Sequence, residues 1–119
     1  MKSSESMALS GITVIDMTRV LAGPFANMVL RDLGAQIIKV EPPQGDDSRG
    51  FGPFLPSGES SYFVSLNCGK RSIAIDLKTE AGREVFSDLL RSADVLIESF
   101  RPGVLDRLGF DDKRVSSLN

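Results

Sequence analysis

The feature that most constrains this chain is an alternation of short β-branched runs with longer stretches of helical periodicity. Residues 11–16 read Gly-Ile-Thr-Val-Ile-Asp and are nearly continuous in apolar character, which is typical of a strand covered on both faces. Apolar residues then recur at helical spacing between Pro24 and Gly34, and this placement of proline and glycine favours a helix over 24–33. Residues 36–40 repeat the buried-strand pattern, which completes one predicted βαβ unit.

A second βαβ unit follows in the same order. Residues 72–76 and 94–98 predict two further strands, and the stretch 80–92 between them carries its apolar residues on one helical stripe. Thr79 is suited to cap that helix. Because such units form parallel sheets with right-handed crossovers, we predict an α/β fold: a Rossmann-like parallel sheet with helices on both faces.

The domain organisation follows from the same pattern. Residues 1–10 predict a flexible N-terminal segment, and residues 11–119 predict one partial Rossmann-like domain. The long connection 41–70 carries several aromatic residues, so we expect it to be ordered rather than a free linker. Residues 111–119 begin a helical pattern that has nothing to pack on, and we therefore expect the chain to be truncated.

Composition excludes several kinds of function. Fourteen basic and sixteen acidic residues give a net charge of -2, so no overall field attracts nucleic acid or an anionic membrane. The chain has one cysteine and no histidine, which leaves no intrachain disulfide, zinc site or histidine-assisted nucleophile. No apolar run is long enough to span a bilayer or act as a secretory signal, and we expect a cytoplasmic protein.

The turn over residues 18–24 is a candidate binding element because it joins the first strand to a helix N-terminus. Free backbone N–H groups and the helix dipole favour anions there. The turn contains only Gly23 and lacks Gly-x-Gly-x-x-Gly, which disfavours nicotinamide binding. A tight connection without a ligand explains the spacing equally well.

Cations flank the third predicted strand. Lys70 and Arg71 precede it, and we expect them to form a solvated turn. Lys78 follows it, at the strand end where open α/β sheets bind ligands. Cys68 has no histidine to activate it and is expected to be inert.

Two arginines follow the fourth predicted strand, on either side of a Pro-Gly turn. If the stretch from Val104 is helical, Arg107 shares the face of that residue. A guanidinium beside an apolar surface can stack on a purine or bind phosphate. The alternative is a surface arrangement in which Arg101 pairs with Glu98, or Arg107 with Asp106, and contributes little.

Four blocks of the sequence resemble the family III CoA-transferases. The blocks are TRVLAGP (18–24), DLGAQIIKVE (32–41), NCGKRSIAIDLK (67–78) and FRPGVLDRLG (100–109). The resemblance covers residues 9–119. This family includes formyl-CoA, carnitine and succinyl-CoA:glutarate CoA-transferases and also alpha-methylacyl-CoA racemase. Residues 45–50 together with Phe54, and Asn67 with Cys68, favour the transferases.

The resemblance implies a CoA-binding domain within a longer enzyme whose two copies interlock as a homodimer. Such an enzyme moves CoA from an acyl-CoA to a carboxylic acid acceptor through aspartyl intermediates. The CoA thioester is a substrate, no cofactor is permanently bound, and neither nucleic acid nor a membrane is a partner. Two alternatives remain open: an alpha-methylacyl-CoA racemase fragment and a non-catalytic CoA-binding module.

The resemblance also implies a set of CoA contacts. Leu21 and Ala22 would line the pantetheine and thioester end. The walls around the adenine and phosphates would come from Ile75, Asp76, Leu77, Lys78, Ser99, Phe100 and Arg101, with Arg107 as a further nucleotide contact. Two departures are Pro42, where formyl-CoA transferase has an arginine, and Ser99, where asparagine is frequent. No carboxylate of this chain inherits the catalytic role, so the chain by itself is predicted to be inactive.

Overall fold

The computed structural model describes residues 6–119. The elements in chain order are β1 (Thr13–Met17), α1 (Ala22–Asp32), β2 (Gln36–Glu41), a 3-10 turn (Asp47–Gly50), α2 (Ser61–Asn67), β3 (Arg71–Ala74), α3 (Glu80–Ser92), β4 (Val95–Glu98), α4 (Val104–Arg107) and α5 (Asp112–Leu118). Half of the predicted flexible segment, residues 1–5, lies outside the described residues. In the other half, the Leu9 N–H donates to the Leu33 carbonyl at 2.8 Å.

The four strands form one parallel sheet in the order β3-β2-β1-β4. Val14 of β1 lies opposite Ile37 of β2 on one side and Val95 of β4 on the other. This topology confirms the predicted parallel α/β fold. It also places the carboxyl ends of all four strands at one edge of the sheet.

The predicted limits of the third strand were wrong. The strand spans Arg71–Ala74 rather than 72–76, and it pairs with β2 only as far as Glu41. Since β2 ends at that residue, the segment beyond Ala74 has no strand to continue beside. The Ile75 N–H still donates to the Glu41 carbonyl at 2.8 Å, and the chain then turns.

Helices cover both faces of the sheet, as predicted. Ile15 packs in one cluster with Phe86 and Leu90 of α3. Its neighbour Val14 belongs to a second cluster, against which Leu30 of α1 packs. Because successive strand residues point to opposite faces, α1 and α3 lie on opposite sides of the sheet.

The connection between β2 and β3 is ordered and packed. Ser60 caps α2 by accepting the Phe63 N–H at 3.1 Å. The Phe51 and Tyr62 rings meet edge to face at 5.4 Å, and the guanidinium of Arg49 lies 3.9 Å from the Phe63 ring centroid. Within residues 6–119, no helix combines the length and the apolar character needed to cross a bilayer.

Candidate functional site

A cavity of about 270 Å³ opens at the edge where the four strands end. It takes residues from the ends of β1 and β2, from the segment after β3 and from the loop after β4. Its lining residues are Met17, Val40, Glu41, Pro42, Pro43, Gln44, Ile75, Asp76, Leu77, Lys78, Phe100 and Leu108. We refer to it as the strand-end cavity.

The structure brings five predicted site residues together in this cavity. They are Ile75, Asp76, Leu77, Lys78 and Phe100. The apolar side chains of Ile75 and Leu77 are buried, whereas Asp76 and Lys78 are exposed. The cavity therefore combines an apolar floor with a cation at its rim.

The other five predicted residues do not line the cavity. Leu21 and Ala22 are exposed where the chain enters α1. Ser99, Arg101 and Arg107 are exposed in the segment after β4. Sequence reasoning placed all five near strand ends, but whether such residues line a cavity depends on how each loop turns.

The segment 76–79 is fixed by its own hydrogen bonds and by α3. The Asp76 carboxylate accepts the Lys78 N–H at 3.0 Å, and the Asp76 carbonyl accepts the Thr79 hydroxyl at 2.8 Å. Thr79 caps α3 as predicted, by accepting the Gly82 N–H at 3.0 Å. A Cβ at Gly82 would lie 2.0 Å from the Asp76 carbonyl oxygen, so glycine allows α3 to approach the cavity wall.

In the segment after β4, a hydrogen bond gives one acidic residue a structural role. The Glu98 carboxylate accepts the Phe100 N–H at 2.7 Å. Gly103, with φ of 84°, precedes α4, and a guanidinium nitrogen of Arg107 lies 3.2 Å from the position a Cβ would take there. Within residues 6–119, neither arginine of this segment lies within 4 Å of a carboxylate. The predicted surface pairs are therefore not formed.

A buried ion pair joins β2 to the loop that follows it. Lys39 and Asp46 are 2.9 Å apart, and each side chain is only 1% exposed. Burial acts to raise the pKa of Asp46, but hydrogen bonds from Ser48 and the Lys39 ammonium outweigh it and hold this pKa below its ordinary value. Sequence reasoning missed both residues.

Lys70 belongs to a second buried ion pair, although the sequence predicted that it lies in a solvated turn. Its ammonium lies 3.0 Å from Asp16 and also donates to Asn67 and the Pro24 carbonyl. Burial lowers the pKa of Lys70, and Asp16 partly offsets that effect. The predicted solvated turn was wrong for Lys70 because α2 packs against α1 and turns this side chain inward, whereas Arg71 is exposed.

The third buried carboxylate is Glu41. It accepts two hydrogen bonds from Arg49 at 2.8 Å, and others from the Ser72 hydroxyl and the Asp46 N–H. Burial acts to raise the pKa of Glu41, but these bonds outweigh it and lower the pKa to about 2. A sequence signal did exist: Lys39 and Glu41 occupy alternate positions of a buried strand and so face the same side.

These pairs form an ionic layer under the strand ends, made of Asp16, Lys39, Glu41, Asp46, Arg49 and Lys70. All of these side chains are buried except that of Arg49, which is 45% exposed. All three pairs have hydrogen-bond geometry, so the charges of the layer are compensated. Among the described residues, no three His, Cys, Asp or Glu side chains are grouped as metal ligands. Cys68 is an exposed free thiol.

Comparison with known proteins connects this architecture to one family. The family model for CoA-transferase family III matches residues 9–119. The chain is 51% identical over 110 residues to an acetyl-CoA:oxalate CoA-transferase of Acetobacter aceti, covering 92% of this chain and 28% of that protein. It is 48% identical over 112 residues to a formyl-CoA:oxalate CoA-transferase of Streptomyces avermitilis, covering 94% and 27%.

Solved structures agree with the sequence comparison. A CaiB/BaiF family protein from Brucella suis superposes with a TM-score of 0.89 at 43% identity, covering 97% of this chain and 32% of that one. The chain thus spans between about a quarter and a third of the proteins that it matches. A family model that covers nearly the whole chain, together with this fold, shows that the chain belongs to CoA-transferase family III.

Proposed function

We propose that this chain forms the CoA-binding part of an enzyme that moves CoA between an acyl-CoA and a carboxylic acid. The observation that carries the proposal is the strand-end cavity, where an apolar floor meets the Lys78 cation. An acyl-CoA is itself amphipathic, with a purine and a pantetheine arm joined through phosphates. Two relatives named as oxalate CoA-transferases, at 51% and 48% identity, make oxalate the acceptor to test.

Within this proposal the predicted residues take distinct roles. Ile75, Leu77 and Phe100 provide apolar surface for the adenine and pantetheine. Lys78 supplies charge for the phosphates, as do Arg101 and Arg107, which have no carboxylate partner within 4 Å among residues 6–119. Asp76 and Ser99 complete the walls around the nucleotide. Because Pro42 brings no charge to its side of the cavity, the phosphates would rely on these three cations.

In the same proposal, Leu21 and Ala22 contact the thioester end of the acyl-CoA. They begin α1 beside the end of β1, and no side chain caps this helix. Backbone N–H groups at such a terminus stabilise negative charge on a thioester oxygen. No permanently bound cofactor is required, because the CoA thioester is a substrate.

We place the covalent chemistry outside this chain. Each carboxylate at a strand end already has a partner: Asp16 has Lys70, Glu41 has Arg49, and Asp76 and Glu98 accept N–H groups of their own turns. A nucleophilic carboxylate instead needs a free oxygen that faces the thioester. The 119-residue chain alone is therefore expected to be inactive.

The transfer reaction is tested on the complete gene product. Acetyl-CoA or formyl-CoA is incubated with oxalate, and oxalyl-CoA is measured by liquid chromatography with mass spectrometry. Formation of oxalyl-CoA supports the proposal. Exchange of the α-hydrogen of a 2-methylacyl-CoA with D₂O, without transfer, would favour a racemase, and binding without either reaction would favour a non-catalytic module.

The placement of the nucleophile has its own test. Hydroxylamine traps acyl-enzyme and thioester intermediates as hydroxamates, which peptide mass spectrometry locates. The expected adduct lies outside residues 1–119. An adduct on Asp16, Glu41, Asp76 or Glu98 would show that the chemistry resides in this chain.

Assembly as an interlocked homodimer and a cytoplasmic location are further parts of the proposal. The supporting observation for assembly is an apolar stripe along α1, formed by Phe25, Val29 and the C-cap residue Leu33, which are 51%, 41% and 45% exposed. Their spacing of four residues places them on one helix face. Exposed apolar surface of this kind marks contact sites.

A further inference from the structure

The turn between β1 and α1 contains an unusual backbone conformation. Val20 has φ of 70° and is the only residue other than glycine with positive φ in the part of the chain that the structure describes. A β-branched residue is a rare outlier in this region, because its side chain crowds the backbone. Such a conformation persists only where the surrounding structure enforces it.

Lys39 and Asp46 bind the backbone of this turn directly before Val20. The Lys39 ammonium donates to the Thr18 carbonyl at 2.8 Å. The Val20 N–H donates to the Asp46 carboxylate, with both oxygens at 3.3 Å. The two side chains are themselves paired at 2.9 Å, so one buried ion pair holds the peptide groups on either side of Arg19.

The Asp46 carboxylate is fixed independently of the turn. One of its oxygens accepts the N–H and the hydroxyl of Ser48 at 2.9 and 2.7 Å. The Asp46 N–H in turn donates to Glu41 at 2.9 Å. The acceptor for Val20 is therefore part of the rigid ionic layer under the strand ends.

The turn leads directly into the residues proposed for the thioester. Leu21 and Ala22 follow Val20, and no side chain caps the helix that they begin. Position 23 must be glycine for the turn to keep this path, because a Cβ there would lie 2.2 Å from Cβ of Thr18. The conformation of Val20 thus sets the direction in which the chain enters α1, and with it the positions of Leu21 and Ala22.

We propose that Asp46, held by Lys39, is a positioning residue that keeps Val20 left-handed and so presents Leu21 and Ala22 to the acyl-CoA. This inference rests on the proposed function. Asp46 acts through the turn and does not touch the substrate. Because the Val20 conformation is costly only for a residue with a Cβ, glycine at position 20 removes the need for the clamp.

The test is a double-mutant cycle on the complete gene product, with acyl-CoA affinity and the free energy of unfolding measured for each variant. Asp46→Asn is expected to raise the Kd for acetyl-CoA by roughly 10-fold or more, because a displaced turn misplaces the thioester contacts. Val20→Gly in that background is expected to restore the Kd to within about 3-fold of wild type. It does not restore stability, since Lys39 still lacks its carboxylate partner.

Asp88→Asn is the matched control, because it makes the same chemical change at an exposed ion pair with Arg91 on α3. Its affinity should equal that of wild type. If Asp46→Asn fails to fold, Ser48→Ala takes its place. This variant keeps the ion pair but removes the hydroxyl that donates to the Asp46 carboxylate. Its loss of affinity should be smaller, and Val20→Gly should reverse it as well.

The outcomes distinguish a failure of the proposed function from a failure of the inference about Asp46. Wild-type protein that binds no acyl-CoA overturns the proposed function and this inference with it. Normal wild-type binding, with affinity unchanged in Asp46→Asn, overturns the inference alone. So does a double variant that binds as weakly as Asp46→Asn, because the carboxylate would then act by another route than Val20.

Discussion

Among single residues, Glu41 couples the stability of the fold to pH. Its pKa of about 2 in the folded protein lies below the ordinary value of 4.5. Between these values the unfolded chain binds a proton more readily than the folded protein. The stabilisation is therefore fully present above the ordinary pKa and is lost as the pH falls toward 2. At neutral pH it amounts to about 3 kcal/mol.

Glu41→Gln is expected to remove this contribution. Urea denaturation at pH 7 should show a free energy of unfolding about 3 kcal/mol below that of wild type. The difference should shrink as the pH falls below about 4.5, because wild type then loses the same interaction. Glu59→Gln is the control, since Glu59 is exposed. A difference that stays constant from neutral to acid pH would contradict the role given to Glu41.

Arg107 provides a second prediction for a single residue. If it contacts the nucleotide, Arg107→Ala should weaken CoA binding by roughly 1–3 kcal/mol, because a charge-assisted contact is lost. Isothermal titration of the complete gene product measures this loss, with Arg114→Ala on α5 as the control. The loss should be smaller at high ionic strength, where phosphate contacts are screened. An unchanged isotherm would leave Arg107 as a surface residue.

Among the elements, α3 fixes the wall of the strand-end cavity through Gly82. Alanine is normally favoured over glycine inside a helix by about 1 kcal/mol. Here its Cβ would lie 2.0 Å from the Asp76 carbonyl oxygen, and a backbone atom cannot move aside as a flexible side chain can. The substitution must therefore displace either α3 or the segment 76–79.

Gly82→Ala is expected to destabilise the protein by about 1–3 kcal/mol, as overpacking does, and to weaken CoA binding as well. Thermal unfolding and CoA titration measure the two effects. Gly50→Ala is the matched control, because its Cβ meets no atom within 4 Å. A higher melting temperature for Gly82→Ala would mean that helix propensity outweighs the contact with Asp76.

The helices and strands were largely predictable because the sequence patterns that indicate them are local. Apolar periodicity predicted β1, β2, α1 and α3, and the placement of ligand sites at strand ends singled out Lys78. The family resemblance, and not a local pattern, extended that candidate segment back to Ile75. The end of β3 was not predictable in this way, because it depends on where β2 stops. The ionic layer was missed for a related reason: Lys70 and Asp16 lie 54 residues apart, and no local pattern shows that they meet.

For the whole molecule, the exposed stripe along α1 is an apolar surface that the fold of this chain leaves uncovered. Phe25, Val29 and Leu33 face solvent, although the opposite side of the same helix contacts the sheet and α2. The proposed homodimer would cover this stripe. Removing apolar surface from water is the main force in such association, at about 25 cal/mol per Å².

A charge placed within the stripe tests this part of the proposal. Light scattering coupled to size exclusion should give a dimer for the complete gene product. When the denatured protein is refolded, Val29→Glu should give more monomer than wild type, because interlocked copies pair only during folding and burying an unpaired carboxylate is costly. Val85→Glu on α3 is the matched control, since Val85 is 43% exposed and Val29 is 41% exposed. If Val29→Glu lowers the melting temperature but leaves the dimer intact, the stripe is instead covered within a single chain.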